Sequence, residues 1–243
     1  MSIWEYANPV KFMKTSSMVL PWVSILGALC IVTGLVWGFF FTPEAANFGA
    51  TVKVLFVHVP SATMAINIWV MMLVTSLIWL IRRHHVSALA AKAAAPIGAV
   101  MTVIALVTGA VWGQPMWGTW WEWDPRLTSF LILFLFYLGY MALWGAIDNP
   151  DTAADLTGVL CLVGSVFALL SRYAVKFWNQ GLHQDSTIMK VGQDDPLDPS
   201  YYIPLVISIV GFVLFFVTVL LLRTRTEIRA RRLKALEQRE RMA

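Results

Sequence analysis

Six long apolar runs constrain what this sequence can fold into more than any other feature. An α-helix needs about 20 predominantly apolar residues to cross the hydrocarbon core of a bilayer. The runs cover residues 18–41, 59–81, 94–113, 127–147, 156–175 and 203–222. They occupy most of the 243 residues and leave room for loops and a tail, but not for a separate catalytic domain. The sequence therefore predicts an all-α, polytopic integral membrane protein with one six-helix domain over residues 1–243.

The composition agrees with this class. Hydrophobic residues make up 58% of the chain, charged residues make up 13%, and the mean hydropathy is +0.69. These values lie outside the range of soluble globular domains. Lys11 and Lys14 precede the first run, and no small-residue cleavage pattern follows it. We therefore expect this run to be retained as a span and not removed as a signal peptide.

The basic residues predict the orientation of the spans. Lys and Arg are enriched in cytoplasmic segments of membrane proteins. With a cytoplasmic N-terminus, thirteen of the 18 basic residues fall in inside segments, and eight of those lie in residues 223–243. We therefore expect both termini in the cytoplasm. The tail at 223–243 is typical of a basic helix, for which attraction to anionic membrane lipid is favoured over docking of a specific partner.

This topology brings three unusual segments to the outer face. The first, VKVLFVHVPSA, precedes the second run; the second is the Trp-rich segment at about residues 112–128; the third is the connection at about residues 176–202. Their convergence depends on the predicted orientation. We therefore expect residues of these three segments to form a common site.

Two of the four histidines lie in these outer segments. His58 lies two residues before Pro60, and proline is favoured in the first turn of a helix, so we expect His58 at the N-terminus of the second helix. The positive partial charge of that helix end favours a neutral imidazole, which can ligate a metal. His183 lies in the last outer segment. For this pair a metal-ligand role and a polar surface role both remain open, whereas His84 and His85 in the basic RRHH turn are assigned no role.

The residue types favour haem over other metal groups. Cys30 and Cys161 are isolated in apolar runs and form no CxxC or CxxCH motif, which argues against a redox disulfide and against covalent haem attachment. Structural zinc usually needs four protein ligands. An iron porphyrin needs only one or two axial ligands, and its flat apolar face suits indole rings. Lys53 and Arg126 flank the histidine and tryptophan segments and could pair with the propionates.

The tryptophans of the second outer segment are unusually dense. Other tryptophans are scattered over the ends of the runs, as in an interfacial belt. Those between residues 112 and 123 alternate with glycines and acidic residues, which favours a shaped surface that packs against a flat ligand. A purely structural amphipathic hairpin remains an alternative. The clustered residues are Trp112, Trp117, Trp120, Trp121 and Trp123.

The motif WGTWWEWDPRLTS, residues 117–129, resembles the WWD signature of the haem-handling membrane proteins of cytochrome c biogenesis. Together with FVHVPSA at 56–62 and WNQGLHQDST at 178–187, it is similar to the cytochrome c maturation protein C (CcmC) family along almost the whole chain. The resemblance implies haem b, bound as transferable cargo on the periplasmic side of the bacterial inner membrane and delivered to the haem chaperone CcmE. It also implies a complex with the ABC transporter subunits CcmA and CcmB and the small membrane subunit CcmD.

The resemblance implies roles for single residues as well. His58 and His183 would be the axial ligands of the haem iron, and Lys53 and Arg126 would contact the propionates, although we expect the family to have an arginine at position 53. The segment FALLSRYAVKFWNQ before His183 departs from the family pattern. The WWD pocket would contain Trp117, Trp120, Trp121, Trp123 and Asp124.

The sequence assigns no catalytic residues. It has no GxxxxGK[ST] phosphate loop, so any use of ATP belongs to a partner, and neither an enzymatic activity nor a nucleic-acid partner is expected. Two other functions remain open. A membrane b-type cytochrome would normally place its histidines within helices. An enzyme acting on a lipid-linked substrate could use Glu122 and Asp124 as acid and base, but their spacing is not a catalytic signature.

Overall fold

The computed structural model describes residues 8–45, 48–177 and 198–242. Within these ranges the chain forms six long helices and no β-strand, and each helix is long and apolar enough to span a membrane. The prediction of an all-α, six-span architecture is therefore confirmed. The elements are α1 (Pro9–Val36), a π-helix (Trp37–Phe41), a 3-10 helix (Ala50–Val54), α2 (Leu55–Arg82), α3 (His85–Trp117), α4 (Pro125–Ala146), α5 (Pro150–Phe177) and α6 (Pro199–Met242).

Four of the six helices in the described ranges begin at an Asn-Pro or Asp-Pro pair. In each pair the side-chain oxygen accepts a hydrogen bond from a backbone N–H of the first turn, at 2.6 to 2.9 Å. Proline suits the next position because its fixed φ is helical and its missing N–H would have had no partner there. At α6 this hydrogen bond from Ser200 holds the pKa of the Asp198 carboxyl below its usual value. The four capping residues are Asn8, Asp124, Asn149 and Asp198.

The helices α2 to α6 surround a core built from aromatic rings and small residues. Trp69 and Tyr137 meet edge to face with 4.7 Å between ring centroids. The Tyr137 hydroxyl donates to the Ala65 carbonyl at 2.7 Å, and the Trp69 indole donates to the Cys161 carbonyl at 3.2 Å. The ring of Tyr137 lies directly over Gly98, where a methyl group would overlap it. Small residues of this kind allow close helix packing in a membrane, where the hydrophobic effect does not drive helices together.

Helix α1 packs along α6 and makes little contact with the other helices. Glycines hold the two backbones close together: a Cβ atom on Gly34 would lie 2.5 Å from Oγ of Ser208, and one on Gly211 would lie 2.7 Å from the backbone nitrogen of Ile31. From Met18 onward the remaining surface of α1 is predominantly apolar and exposed, as expected for a helix that faces lipid.

Helix-end contacts define two ends of the bundle. The start of α2 meets the end of α3 through His58 and Thr108, and the start of α4 meets the end of α5 through the hydroxyls of Ser129 and Ser171, which lie 2.9 Å apart. The Tyr201 hydroxyl at the start of α6 donates to a carbonyl just after α1. We call this the site end, and the opposite end, which holds the start of α1 and the last turns of α6, the tail end.

Ion pairs join the helices at the tail end. Lys92 of α3 contacts Glu227 of α6 at 2.7 Å, and Arg231 of α6 contacts Asp151 of α5 at 2.7 Å. Arg83, directly after α2, pairs with an aspartate of α5. These contacts fix the part of α6 that follows its apolar run against the neighbouring helices. Residues 232–242 continue as an exposed helix beyond them.

Candidate functional site

His58 lies in the first turn of α2, the position expected from the sequence. The preceding 3-10 helix leads directly into α2, so the helical structure begins before His58, and Pro60 falls in the second turn. The half-buried imidazole faces the last third of α3, where its Nδ1 lies 3.1 Å from Oγ1 of Thr108. The residue is therefore held between two helices at the site end.

Arg126 approaches His58 from a third helix. It is the second residue of α4, it is half-buried, and its positive charge lies within electrostatic range of the His58 ring. The backbone carbonyl of Arg126 accepts a hydrogen bond from the Ser129 hydroxyl. That hydroxyl also makes a hydrogen bond with the hydroxyl of Ser171 in α5. The structure thus brings together two of the residues that the sequence singled out, and it anchors the first turn of α4 beside them.

Lys53 is tied to the end of α1. It lies in the 3-10 helix, and its Nζ donates to the Phe39 carbonyl at 2.9 Å. Phe39 belongs to the π-helix that ends α1, and the last carbonyls of a helix have no partner within it. Lys53 supplies one such partner. Its ammonium group has three donors, so this contact does not exhaust its capacity to bind a carboxylate.

Part of the Trp-rich segment belongs to α3. Trp112 and Trp117 lie in the last turns of that helix and pack edge to face, with ring centroids 5.1 Å apart. Phe48, from the connection between α1 and α2, lies 6.0 Å from Trp112. Gly118 then ends α3 with a φ of 76°, a left-handed conformation that favours glycine. The non-helical part of the segment is therefore limited to residues 118–124.

The remaining three tryptophans lie in this short loop. Trp121 and Trp123 pack edge to face at 5.5 Å, and the Thr119 hydroxyl donates to the Trp121 carbonyl at 2.8 Å. Trp120 is 62% exposed and Trp123 is 73% exposed, whereas Trp121 is half-buried. The loop thus presents two indoles at the surface and uses the third to hold its shape.

Asp124 caps α4. Its Oδ1 accepts a hydrogen bond from the Leu127 backbone at 2.6 Å, and Pro125 follows it as the first helical residue. The residue is only 7% exposed, and its Oδ2 has no hydrogen-bond partner among the described residues. The aspartate of the WWD motif therefore has a structural task, which is to fix where the loop ends and α4 begins. Glu122 is exposed.

The second predicted ligand, His183, lies outside the described residues, as does the whole stretch from 178 to 197. Helix α5 ends at Phe177 and α6 begins at Pro199, and both of these helix ends lie at the site end. The chain therefore leaves and re-enters the described structure on the side where His58 lies.

Sequence reasoning missed the α3 residues that hold His58. Thr108 contacts the ring, and the backbone of Gly109 faces it. The available signal for these residues was the Thr-Gly pair itself, which lies one turn before Trp112 in a run with few polar residues. It was not sufficient because hydroxyl residues in membrane helices commonly bond to their own backbone, as Thr102 does in the same helix.

Comparison with known proteins agrees with the motif. Residues 2–239 match the family described as heme exporter protein C (CcmC). This chain belongs to that family. Its relatives include heme exporter protein C of Rhodobacter capsulatus, which is 79% identical over the full length of both chains, and that of Paracoccus denitrificans, which is 73% identical over the full length of both. Heme exporter protein C of Escherichia coli K12 is 40% identical over 93% of this chain and 91% of its own length.

Membership in the heme exporter protein C family confirms the resemblance noted from the WWD motif. It also confirms the expectation that the chain is not an enzyme, because the family is one of exporter proteins. The described ranges contain six helices that are long and apolar enough to span a membrane, and the chain is therefore a multi-pass membrane protein.

Proposed function

We propose that this protein binds haem b at the site end and passes it to a periplasmic haem chaperone during the biogenesis of c-type cytochromes. His58 and His183 ligate the iron, and the exposed indoles of Trp120 and Trp123 contact the porphyrin. The observation that carries the proposal is the position of His58. It is held by Thr108 at the same end of the bundle as residues 118–124, the loop of the WWD motif, in a chain that belongs to the heme exporter protein C family.

The described residues fit a porphyrin. A neutral imidazole is a common iron ligand, and indole rings pack well against a large apolar ring system. Arg126 lies within electrostatic range of His58, Lys53 lies in the 3-10 helix that leads into α2, and together they supply positive charge for the two propionates. Trp117 and Trp121 are half-buried and Asp124 caps α4, so these three residues support the segment that carries the exposed indoles.

An exposed site suits a cargo that must leave. Trp120 and Trp123 lie at the surface and not in the core. A haem held against them keeps one edge accessible to an acceptor, whereas a haem enclosed between membrane helices, as in the alternative b-type cytochrome, does not. The site therefore favours delivery over electron transfer.

In this proposal the protein lies in the bacterial inner membrane. Its site end faces the periplasm, and both of its termini lie in the cytoplasm. The excess of Lys and Arg in the segments of the tail end supports this orientation. The acceptor is the haem chaperone CcmE. The chain works beside the ABC transporter subunits CcmA and CcmB and the small subunit CcmD, which supply the ATP-dependent step.

The test is the visible spectrum of the protein purified with its partners, oxidised and reduced, beside the variants His58→Ala and His183→Ala. We expect a low-spin, six-coordinate haem in the wild type and a changed or lost spectrum in each variant. Extraction into alkaline pyridine identifies the porphyrin as haem b. His85→Ala is a matched control, because His85 lies at the tail end, where its Nδ1 is 3.0 Å from Arg231.

Addition of the haem-free chaperone distinguishes cargo from a resident group. Transfer of the haem to the chaperone supports the proposal. Haem that stays on this protein under all conditions would identify a b-type cytochrome instead, and a haem-free wild type with its partners present would reject both functions.

A further inference from the structure

The hydroxyl of Thr108 lies between the His58 ring and the backbone of α3. Its Oγ1 is 3.1 Å from Nδ1 of His58, 2.6 Å from the Ile104 carbonyl oxygen and 3.3 Å from the Ala105 carbonyl oxygen. A threonine hydroxyl has one proton to donate and two lone pairs that can accept. The three contacts therefore compete for one proton.

The shortest contact decides where that proton lies. A carbonyl oxygen can only accept, so an Oγ1 that is 2.6 Å from the Ile104 carbonyl must donate to it. If the hydroxyl turned toward His58 instead, two oxygens with no proton between them would face each other at that distance. The hydroxyl therefore acts as an acceptor toward the imidazole, and Nδ1 of His58 supplies the proton for the contact.

A second group of α3 agrees with this assignment. The Ala105 carbonyl, which again can only accept, contributes to the electrostatic environment of the His58 ring. That carbonyl lies beside the Thr108 hydroxyl on the same face of α3. These two groups of α3 thus act as acceptors toward the His58 ring, and they favour the form of the ring that donates toward α3.

We infer that Thr108 is a positioning residue for His58: its hydroxyl, anchored to the Ile104 carbonyl, accepts the Nδ1 proton and fixes the tautomer whose lone pair is on Nε2. The last step, in which Nε2 ligates the iron, rests on the proposed function. The tautomer itself is a property of the protein without haem.

The same hydrogen bond affects a bound iron. A histidine ligand that donates its second ring N–H to an acceptor becomes more basic and keeps a fixed ring orientation. A more basic axial ligand favours the ferric state and lowers the reduction potential. Thr108 thus sets the orientation in which the His58 imidazole approaches the iron. It also sets how much electron density the imidazole donates to the iron.

The first experiment uses the full-length, haem-free protein in lipid nanodiscs, labelled with ¹⁵N-histidine at a pH of about 8, where an ordinary histidine is neutral. The ¹⁵N chemical shifts distinguish a protonated ring nitrogen from one with a lone pair, and subtraction of a His58→Gln spectrum assigns the signals. We expect Nδ1–H as the single form of His58. Protonation of Nε2 in the wild type would overturn the inference, and this measurement needs no change at Thr108.

Variants at Thr108 test its role in selecting the tautomer. Thr108→Val keeps the shape of the side chain but removes the acceptor, and we expect it to yield a mixture of tautomers. Thr108→Ser restores the hydroxyl and should restore the single form. Thr102→Val is the matched control, because Thr102 lies in α3 and donates to the Gly98 carbonyl at 2.7 Å. A Thr108→Val protein with the wild-type tautomer would show that Thr108 does not select it.

The second readout is the reduction potential of the haem-loaded protein. We expect the potential to rise in Thr108→Val, to return toward the wild-type value in Thr108→Ser and to stay unchanged in Thr102→Val. An unchanged potential in Thr108→Val would overturn the effect on the iron. If His58→Ala keeps its normal haem spectrum while the tautomer results are as expected, the ligand assignment in the proposed function fails and the positioning of His58 stands.

Discussion

A Cβ atom added to Gly109 would lie 3.0 Å from Cε1 of His58. Real Cβ atoms seldom come so close to another side chain, so a methyl group here must push the imidazole away by a few tenths of an ångström. Cε1 lies between the two ring nitrogens. The ring would therefore move relative to both the Thr108 hydroxyl and any iron bound at Nε2.

We expect Gly109→Ala to fold and to bind haem less tightly. Displacement of the groups that orient a ligand typically costs about 10- to 100-fold in metal affinity, and we expect a loss of that order in a titration of the haem-free protein with haem. The matched control is Gly145→Ala, because Gly145 is a helical glycine of α4 with open space around its Cβ position. Equal affinity in the two variants would contradict the prediction.

Asp124 should be replaceable by other capping residues. Its Oδ1 satisfies the Leu127 N–H, and loss of a helix cap typically costs about 1 kcal/mol. We expect Asp124→Ala to speed hydrogen exchange in the first turn of α4, while Asp124→Asn and Asp124→Ser stay close to the wild type. If the Asn variant keeps slow exchange and loses haem, the carboxylate charge has a separate role in binding.

The exposed and the packed tryptophans should respond differently to truncation. Trp120 and Trp123 lie at the surface, so we expect Trp120→Ala and Trp123→Ala to reduce haem retention with little change in thermal stability. Trp112 packs against Trp117 and Phe48, so we expect Trp112→Ala to lower the melting temperature more than Trp120→Ala or Trp123→Ala does. Parallel measurement of bound haem and melting temperature separates the two groups, and an identical profile for all three variants would refute the division.

Close packing of α1 on α6 predicts a strong effect at Gly34. A methyl group there would lie 2.5 Å from Oγ and 2.7 Å from the backbone nitrogen of Ser208, so the helices must separate. Overpacking of this kind typically costs about 1–3 kcal/mol. We expect Gly34→Ala to lower the free energy of unfolding in mixed micelles by this amount. Gly139→Ala is the control, since a Cβ atom there makes only an ordinary contact with Leu160 at 3.7 Å, and equal stability of the two variants would argue against the close approach.

The number of helices could be predicted from the sequence, but their ends could not. The apolar runs report the thickness of the hydrocarbon core, whereas helix ends depend on capping. Helix α1 therefore starts at Pro9, well before the apolar run at residue 18, and α6 continues to Met242. Asn8-Pro9 and Asp198-Pro199 were readable signals for the starts of these two helices.

The pairing of helices was less accessible from the sequence. In a membrane the surface that packs and the surface that faces lipid are both apolar, so periodicity does not tell them apart. The contact of α1 with α6 leaves only a faint trace in the sequence, in Gly34 and Gly211.

The site was predictable where it depended on topology. Alternating spans bring the segments of His58 and Arg126 to one end, and the structure places the charge of Arg126 within electrostatic range of the His58 ring. The contact between His58 and Thr108 depends on the register of α2 against α3, which single-sequence patterns do not contain. The helical position of Trp112 and Trp117 likewise follows from where Gly118 ends α3.

The pairing of α1 with α6 also sets the order in which the protein can be assembled. About 160 residues separate Val36 from Pro199. At a synthesis rate of about 5–20 residues per second, synthesis of α6 therefore begins roughly ten to thirty seconds after α1 is complete. During that interval its glycine-lined surface is open to lipid or to other newly inserted helices. Insertion of the last helix therefore completes the packing of the first, and a chain truncated before α6 leaves its N-terminal helix without its main contact.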